Sequence, residues 1–171
     1  APGGERATAA GGARAEREVR LGAWAAGFRG GGRKVVGFWG LTGGERPPHE
    51  FEVGGVRLWA WCAWDTLFLP GRLGAVAQVR SVCPVTRQRI DLCVAPDRVE
   101  QVAPAEVVVS FLRPERRFED DVITSFCHFV HFFASRGAGE AWLAKRPESF
   151  LLSIREASGV ARLSDRGFDD D

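Results

Sequence analysis

Between residues 33 and 112, short apolar runs alternate with glycine- and proline-containing turns, and this pattern restricts the fold more than any other feature. Runs of roughly four to eight residues bounded by turn residues predict β-strands, and they are too short for most helices. Gly54-Gly55 between two such runs is typical of a hairpin turn. The predicted strands cover residues 34–41, 49–53, 56–59, 75–82, 90–94 and 107–112.

Helical segments are predicted between and after these strands. Residues 60–69 form an apolar stretch that stops at Pro70-Gly71, which predicts a helix ended by proline and glycine. Residues 96–102 are predicted to form a helical turn, residues 138–145 and 155–163 helices, and residues 150–154 a strand or the start of a helix. Residues 123–135 are strongly apolar, and periodicity does not decide their state. The predicted fold class is α+β, with short antiparallel or mixed sheets and packed helices.

The composition changes along the chain. Of the 21 glycines, 13 lie within residues 1–46. Residues 1–32 are therefore predicted to be a weakly ordered, Gly/Ala-rich segment, with a short amphipathic helix at residues 16–28. Residues 33–168 are predicted to form the folded domain, and residues 169–171 an acidic tail.

Charge and cysteine content limit the functions to consider. The 23 Lys and Arg nearly balance the 22 Asp and Glu, so there is no electrostatic case for binding nucleic acid or an anionic membrane. No apolar run is long enough to span a membrane, and nothing resembles a signal peptide, so a cytoplasmic location is expected. The four cysteines include no CxxC pair and are too few for a disulfide scaffold. They are expected to be reduced, as packing residues, metal ligands or nucleophiles.

Cys62 and Asp65 lie three residues apart in a tryptophan-rich segment. On a helix this spacing places the thiol and the carboxylate on one face. Burial among aromatic residues raises the pKa of a carboxyl group, so Asp65 could hold a proton at neutral pH and release it in a reaction. The alternative is that Asp65 makes a local hydrogen bond and Cys62 is a small core residue.

A second thiol lies in the undecided apolar segment, where Cys127 is followed by His128 and His131. Each histidine could be a ligand, a base or a buried core residue. The cysteines and histidines lack the paired spacing of zinc sites, and no local signature of a cysteine protease is present. Cys83 and Cys93 are predicted to be packing residues, since a disulfide between them would need facing positions and an oxidising compartment.

Two segments strongly resemble the alkylmercury lyases. They are RLWAWCAWDTLFLP at residues 57–70 and SFCHFVHFFAS at residues 125–135. The family pattern is a Cys-x-x-Asp in an aromatic segment, followed later by a Phe-Cys before a VHFFAS-like run. The segments GGRKVVGFWGLT, VRSVCP, IDL and SFLLSIREASG are similar to the family in order and spacing, so the resemblance extends from residue 31 to residue 167.

The resemblance implies an alkylmercury-lyase-like core with a reduced winged-helix-like amino-terminal part. It implies that Cys62 and Cys127 are the mercury-binding thiols and that Asp65 transfers the proton and also lies at the metal. Cys83 corresponds to a structural cysteine of the family, and Cys93 has no family role. His128 stands where some members carry a second cysteine.

The activity implied by the resemblance is protonolysis of a carbon–mercury bond to hydrocarbon and Hg(II), without a cofactor. The implied partners are an organomercurial substrate, small cellular thiols and a mercuric reductase that receives Hg(II), with neither nucleic acid nor membrane. The alternative is a non-catalytic protein on the same scaffold that binds or senses a soft metal such as Hg or Cu through its thiols.

Overall fold

The computed structural model describes residues 26–29, 34–38, 41–42, 47–113 and 126–167, with side chains at residues 47–113 and 126–163. The chain divides into two compact units, Ala1–Trp39 and Gly40–Asp171. In the first unit, strands β1 (Ala26–Arg29) and β2 (Lys34–Phe38) pair antiparallel. The prediction of a helix at residues 16–28 is wrong for residues 26–28, which belong to β1. Residues 16–25 lie outside the described residues.

The second unit contains a large antiparallel sheet in the order β3-β5-β4-β6-β7-β8. The β4–β5 turn is made by Gly54 and Gly55, whose φ angles of 55° and 75° favour glycine and match a two-residue hairpin. Along β6, Ala77, Val79 and Ser81 are buried while their neighbours face outward, as expected for a strand with one face on the core. The strands are β3 (Leu41–Thr42), β4 (His49–Val53), β5 (Val56–Ala60), β6 (Ala77–Val82), β7 (Arg89–Val94) and β8 (Val99–Ala103).

A smaller antiparallel sheet has the order β10-β9-β11. Helix α2 (Arg136–Leu143) is preceded by the N-cap residue Ser135, whose hydroxyl accepts a hydrogen bond from the Ala138 N–H at 3.2 Å. Helix α2 packs on all three strands of this sheet, and α3 contacts β8, β9, β11 and α1. The remaining elements are β9 (Val108–Leu112), β10 (Phe132–Phe133), β11 (Ser149–Ser153), α1 (Asp65–Leu73), α2 (Arg136–Leu143) and α3 (Ile154–Gly167).

Two further predicted elements differ from the structure, and the structure decides the state of the undecided segment where it is described. The helix predicted at residues 60–69 begins instead at Asp65 and runs to Leu73, because residues up to Ala60 pair in β5 and Gly74 ends the helix in a left-handed conformation. The helical turn predicted at residues 96–102 is wrong, since Val99–Ala103 pairs with β7 and obtains its backbone hydrogen bonds there. The undecided segment contains a 3₁₀ turn, Cys127–Phe129, and strand β10.

The predicted α+β class is confirmed by these two sheets and three packed helices in the described residues. Helix α1 contacts β6 and β7 as well as α3, and Thr66 and Leu67 in its first turn are buried, so the beginning of α1 lies inside the fold. Within the described ranges, no helix has the length and apolar character needed to cross a bilayer. The acidic tail at 169–171 and most of the Gly/Ala-rich segment at 1–32 lie outside the described residues.

Candidate active site

The turn that precedes α1 positions Cys62 and Asp65. The Thr66 hydroxyl donates to the Ala63 carbonyl at 2.6 Å and holds this turn against the first residues of the helix. The Cys62 N–H donates a hydrogen bond to the Asp65 carboxylate, and the Asp65 N–H donates one to the Cys62 sulfur. Cys62 therefore lies just before the helix rather than inside it, but the predicted proximity of thiol and carboxylate is confirmed.

The second thiol is supplied by the 3₁₀ turn Cys127–Phe129. The Phe129 N–H donates to the Phe126 carbonyl at 2.9 Å and the Val130 N–H to the Cys127 carbonyl at 3.2 Å. The Val130 carbonyl accepts a hydrogen bond from the Ala63 N–H at 3.2 Å. This bond joins the two thiol-bearing segments, which are more than 60 residues apart in the sequence.

Cys62, Asp65 and Cys127 form one cluster. Their two sulfurs and one carboxylate oxygen all lie within 4.8 Å of one another. The exposed fraction is 0% for Cys62 and 6% for Cys127. Asp65 keeps some exposed surface as a residue, but its Oδ2 is buried and has no hydrogen-bond partner among the described residues. All three candidate residues are thus brought to one place, with an unsatisfied acceptor facing the interior.

Burial sets the protonation of this cluster. Loss of solvation raises the pKa of Asp65 to about 7, against the smaller opposing effect of its hydrogen bond with the Cys62 backbone. Burial also raises the pKa of the Cys62 thiol, as do its hydrogen bond with the Cys127 thiol and the nearby charge of Asp65. A carboxyl group with a pKa near neutrality can both accept and donate a proton at physiological pH. The pair of thiols with this carboxyl group can bind a soft metal ion and transfer a proton beside it.

Aromatic side chains enclose the residue next to Asp65. The Trp64 ring contacts Phe68, Phe111 and Phe126, with ring centroids 5.2, 6.1 and 6.1 Å away. The indole N–H of Trp64 is buried and has no acceptor within the described part of the chain. These rings form an apolar group around Trp64, the neighbour of Asp65, which is consistent with the raised pKa of Asp65.

The two histidines near Cys127 are not part of this cluster. His128 is exposed, and the His131 ring contacts the His128 carbonyl, Phe133 and Trp142. Burial lowers the pKa of His131, so the ring is neutral at physiological pH.

The other two cysteines are buried thiols outside the cluster. Cys83 accepts a hydrogen bond from the Thr86 N–H at 3.5 Å. Cys93 accepts one from the Gln78 amide at 3.3 Å and donates to Glu100 at 3.6 Å. These local partners agree with the prediction that both are packing residues, and they bring neither thiol to Cys62 or Cys127.

Sequence reasoning missed two buried polar residues close to these segments. His49 is 1% exposed, its Nδ1 lies 2.8 Å from the Ser81 hydroxyl, and burial lowers its pKa to about 3. Ser110 lies in β9 with an exposed fraction of 0% and bonds the segment after Cys127. The signal for Ser110 was present in the sequence, because a lone serine in the run VVVSFL must find hydrogen-bond partners when buried.

Comparison with known proteins agrees with this arrangement. The family model for alkylmercury lyase matches residues 44–164. An alkylmercury lyase of Pseudomonas putida is 46% identical over 129 residues, which is 75% of this chain and 59% of the relative. One from Staphylococcus epidermidis is 42% identical over 129 residues, 75% of this chain and 58% of that relative. The chain thus spans about three fifths of the length of these curated relatives.

The fold is also shared with a solved structure. The crystal structure of the mercury-bound form of MerB2 matches with a TM-score of 0.64 at 22% sequence identity. The match covers 89% of this chain and 73% of that chain. At this identity, the likeness concerns the arrangement of the helices and strands.

Proposed function

This chain belongs to the alkylmercury lyase family, and we propose that it cleaves the carbon–mercury bond of alkyl or aryl mercury compounds. The products are a hydrocarbon and Hg(II) held by two thiolates. Cys62 and Cys127 bind the mercury of the substrate, and Asp65 transfers the proton and also contacts the metal. The domain proposed to do this is residues 33–168.

The observation that carries the proposal is the buried convergence of two thiols and a carboxyl group within 4.8 Å. Each group has a separate task. Soft thiolates select mercury over harder ions, while a carboxyl group whose pKa is about 7 exchanges protons near neutral pH. An exposed aspartate with a pKa of about 3.9 would be a poor proton donor under the same conditions.

The first step is capture of the substrate by one thiol. Cys127 retains some exposure whereas Cys62 has none, so we assign capture to Cys127. Its sulfur replaces the substrate's outgoing ligand on mercury, and the thiol proton leaves to solvent. The raised pKa of Cys62 keeps that thiol protonated until a base takes its proton.

The second step uses the ionised form of Asp65. The carboxylate takes the proton from Cys62, and the resulting thiolate becomes the second sulfur ligand of mercury. The two thiolates increase the electron density on the carbon bonded to the metal. The carbon–mercury bond then breaks with both electrons remaining on carbon, and Asp65 returns the proton to that carbon. Mercury stays Hg(II) throughout, so neither an oxidant nor a reductant is needed.

The aromatic cluster gives the organic group an apolar environment. The Trp64 ring contacts Phe68, Phe111 and Phe126, and Phe111 also contacts Phe126. An apolar surrounding keeps the carboxyl pKa high and limits competing proton transfer from water. We expect benzyl, phenyl and short alkyl groups to be accommodated better than charged organic groups.

The partners follow from the same chemistry. We infer that small cellular thiols remove the Hg(II) product by exchange, and that a mercuric reductase is its eventual acceptor. The site requires reduced Cys62 and Cys127, because a disulfide between them would leave no thiolate for mercury. A reducing compartment such as the cytoplasm meets this requirement.

The experiment is release of benzene from phenylmercury by the purified chain in excess small thiol, measured by headspace gas chromatography. Cys62→Ser and Cys127→Ser should each abolish turnover, and Asp65→Ala should bind the organomercurial without cleaving it. Cys93→Ser is the matched control, because this buried thiol has other partners and should keep full activity. Turnover at the wild-type rate by Asp65→Ala would contradict the proton-transfer role.

A second candidate function is non-catalytic binding or sensing of a soft metal ion. It is favoured by the same cluster, which offers three ligand atoms to a metal irrespective of any reaction. The two functions differ in product. A binding protein would take up Hg(II) stoichiometrically and release no hydrocarbon, whereas the lyase releases one hydrocarbon for each mercury compound consumed.

A further inference from the structure

Ser110 is a polar side chain in the middle of strand β9, with an exposed fraction of 0%. Its hydroxyl donates to the Phe129 carbonyl at 2.7 Å and accepts from the His131 N–H at 3.0 Å. The Ser110 N–H donates to the His131 carbonyl at 3.0 Å. A serine hydroxyl has one proton to donate, and here that proton bonds the residue that ends the Cys127 turn.

These bonds lie on both sides of Val130. The N–H of Val130 closes the Cys127 turn, and its carbonyl accepts from Ala63, which follows Cys62. By holding Phe129 and His131, Ser110 therefore fixes the residue that joins the two thiol-bearing segments. Strand β9 is paired on both edges, with β10 and with β11, so the serine projects from a well-supported element.

We propose that Ser110 is a positioning residue of the lyase reaction, whose hydroxyl holds the Cys127 turn so that its sulfur stays within reach of Cys62 and Asp65. This inference rests on the proposed function. The two sulfurs must bind one mercury while the Asp65 oxygen remains close enough to protonate the carbon. Ser110 contacts none of the reacting atoms, and it acts through the backbone of residues 129–131.

Ser110→Ala removes the hydroxyl and leaves the Phe129 carbonyl and the His131 N–H without this partner, so the turn is free to shift. A displacement of about 1 Å at a reacting group can cost roughly 10²-fold in rate. We expect kcat for phenylmercury to fall by about this factor. KM should change little, because Cys127 can capture the substrate before its sulfur is aligned with Cys62 and Asp65.

Ser149→Ala is the matched control. Ser149 is a buried serine on β11 in the same sheet, and its hydroxyl has no hydrogen-bond partner in the part of the chain that the structure describes. This variant loses the same oxygen atom without losing a hydrogen bond, so its kcat should equal that of the wild type. Equal kcat values for Ser110→Ala and Ser149→Ala would overturn the proposal.

A second readout separates this inference from the proposed function. Hg(II) bound by both sulfurs absorbs in the ultraviolet through sulfur-to-mercury charge transfer, and loss of this absorption on competition with a small dithiol measures the affinity. We expect Ser110→Ala to bind Hg(II) at least about tenfold more weakly than Ser149→Ala, since a misplaced sulfur bonds the metal poorly. A wild-type chain that binds Hg(II) but releases no hydrocarbon would refute the lyase function alone. Equal Hg(II) affinity in both serine variants would refute the role of Ser110.

If Ser110→Ala does not fold, the wild-type chain provides the test. Hg(II) binding should shift the backbone amide NMR resonances of Ser110, Phe129 and His131. These shifts should reach their end point at the same amount of added Hg(II) as the shifts of Cys62 and Cys127. Resonances of Ser110 and His131 that stay fixed while both thiols bind the metal would show that the serine is not coupled to the site.

Discussion

Asp65→Asn is expected to stabilise the folded chain at neutral and alkaline pH while abolishing cleavage. Asparagine has nearly the shape of aspartate but carries no charge, so the substitution keeps the packing and removes only the ionisation. The native structure resists ionisation of Asp65, because the carboxyl group is buried and its Oδ2 has no hydrogen-bond partner among the described residues. The wild type bears this cost whenever the solution is alkaline enough to remove the proton.

The magnitude follows from the two pKa values of Asp65. The carboxyl group titrates near 3.8 in the unfolded chain and at about 7 in the folded one. Between these values the folded state holds a proton that the unfolded state has lost, so the free energy of unfolding falls as pH rises. Each pH unit in this window corresponds to about 1.4 kcal/mol. From about pH 5 to about pH 8 the wild type should lose about 2.5 kcal/mol relative to Asp65→Asn.

The assay is urea unfolding of both proteins near these two pH values, in the presence of a reductant. The difference in unfolding free energy between Asp65→Asn and the wild type is taken at each pH. Groups that titrate equally in both proteins then cancel. Asp91→Asn is the matched control, because Asp91 pairs with Arg89 and its side chain is 40% exposed. Its difference from the wild type should change by less than about 1 kcal/mol.

A difference that is the same at both pH values would refute the reasoning, because it would show that folding does not alter the ionisation of Asp65. A difference that grows in the opposite direction, with the wild type gaining stability as pH rises, would mean that the carboxylate is favoured in the folded state. Either result would remove the basis for Asp65 as a proton donor near neutral pH.

Three further expectations follow from packing and charge. In urea unfolding, Gly139→Ala should lose about 1–3 kcal/mol of stability, because the added methyl group would lie 2.8 Å from Leu151. Gly159→Ala should instead gain up to about 1 kcal/mol, because the space around Gly159 in α3 is open. Between about pH 6 and about pH 4.5 the free energy of unfolding of the wild type should fall by about 2 kcal/mol more than that of His49→Gln. The reason is that the pKa of His49 is lowered to about 3 in the folded chain, so only the unfolded chain takes up the proton in this range. Identical acid unfolding of the two proteins would contradict this. Arg80→Ala removes ion pairs with two carboxylates of β4, and thermal unfolding should show a loss below about 1 kcal/mol that disappears at high salt.

Much of the fold could be predicted from local patterns in the chain. The Gly54-Gly55 hairpin and the strands on either side were predicted correctly, because the φ angles of such a turn select glycine and alternation selects strands. The start of α1 was not predicted, because the apolar run continues unbroken from β5 through the turn into the helix. The edge strand β8 was missed because its residues are exposed or half-buried, so its sequence has no alternation of buried and exposed positions. Only its pairing with β7 identifies it as a strand.

The residues of the candidate site were identifiable from the sequence as two cysteines and one aspartate in two aromatic segments, and their spacing made Cys62 and Asp65 neighbours. Residue spacing left Cys127 as one of four thiols with several roles open, and within the sequence only the resemblance to the alkylmercury lyases distinguished it. Tertiary structure decided the rest. It placed Cys127 beside the other two through the Ala63–Val130 hydrogen bond, and it buried Asp65 enough to raise its pKa to about 7. Proximity across more than 60 residues and loss of solvation depend on how distant segments pack, and local sequence patterns do not encode that packing directly.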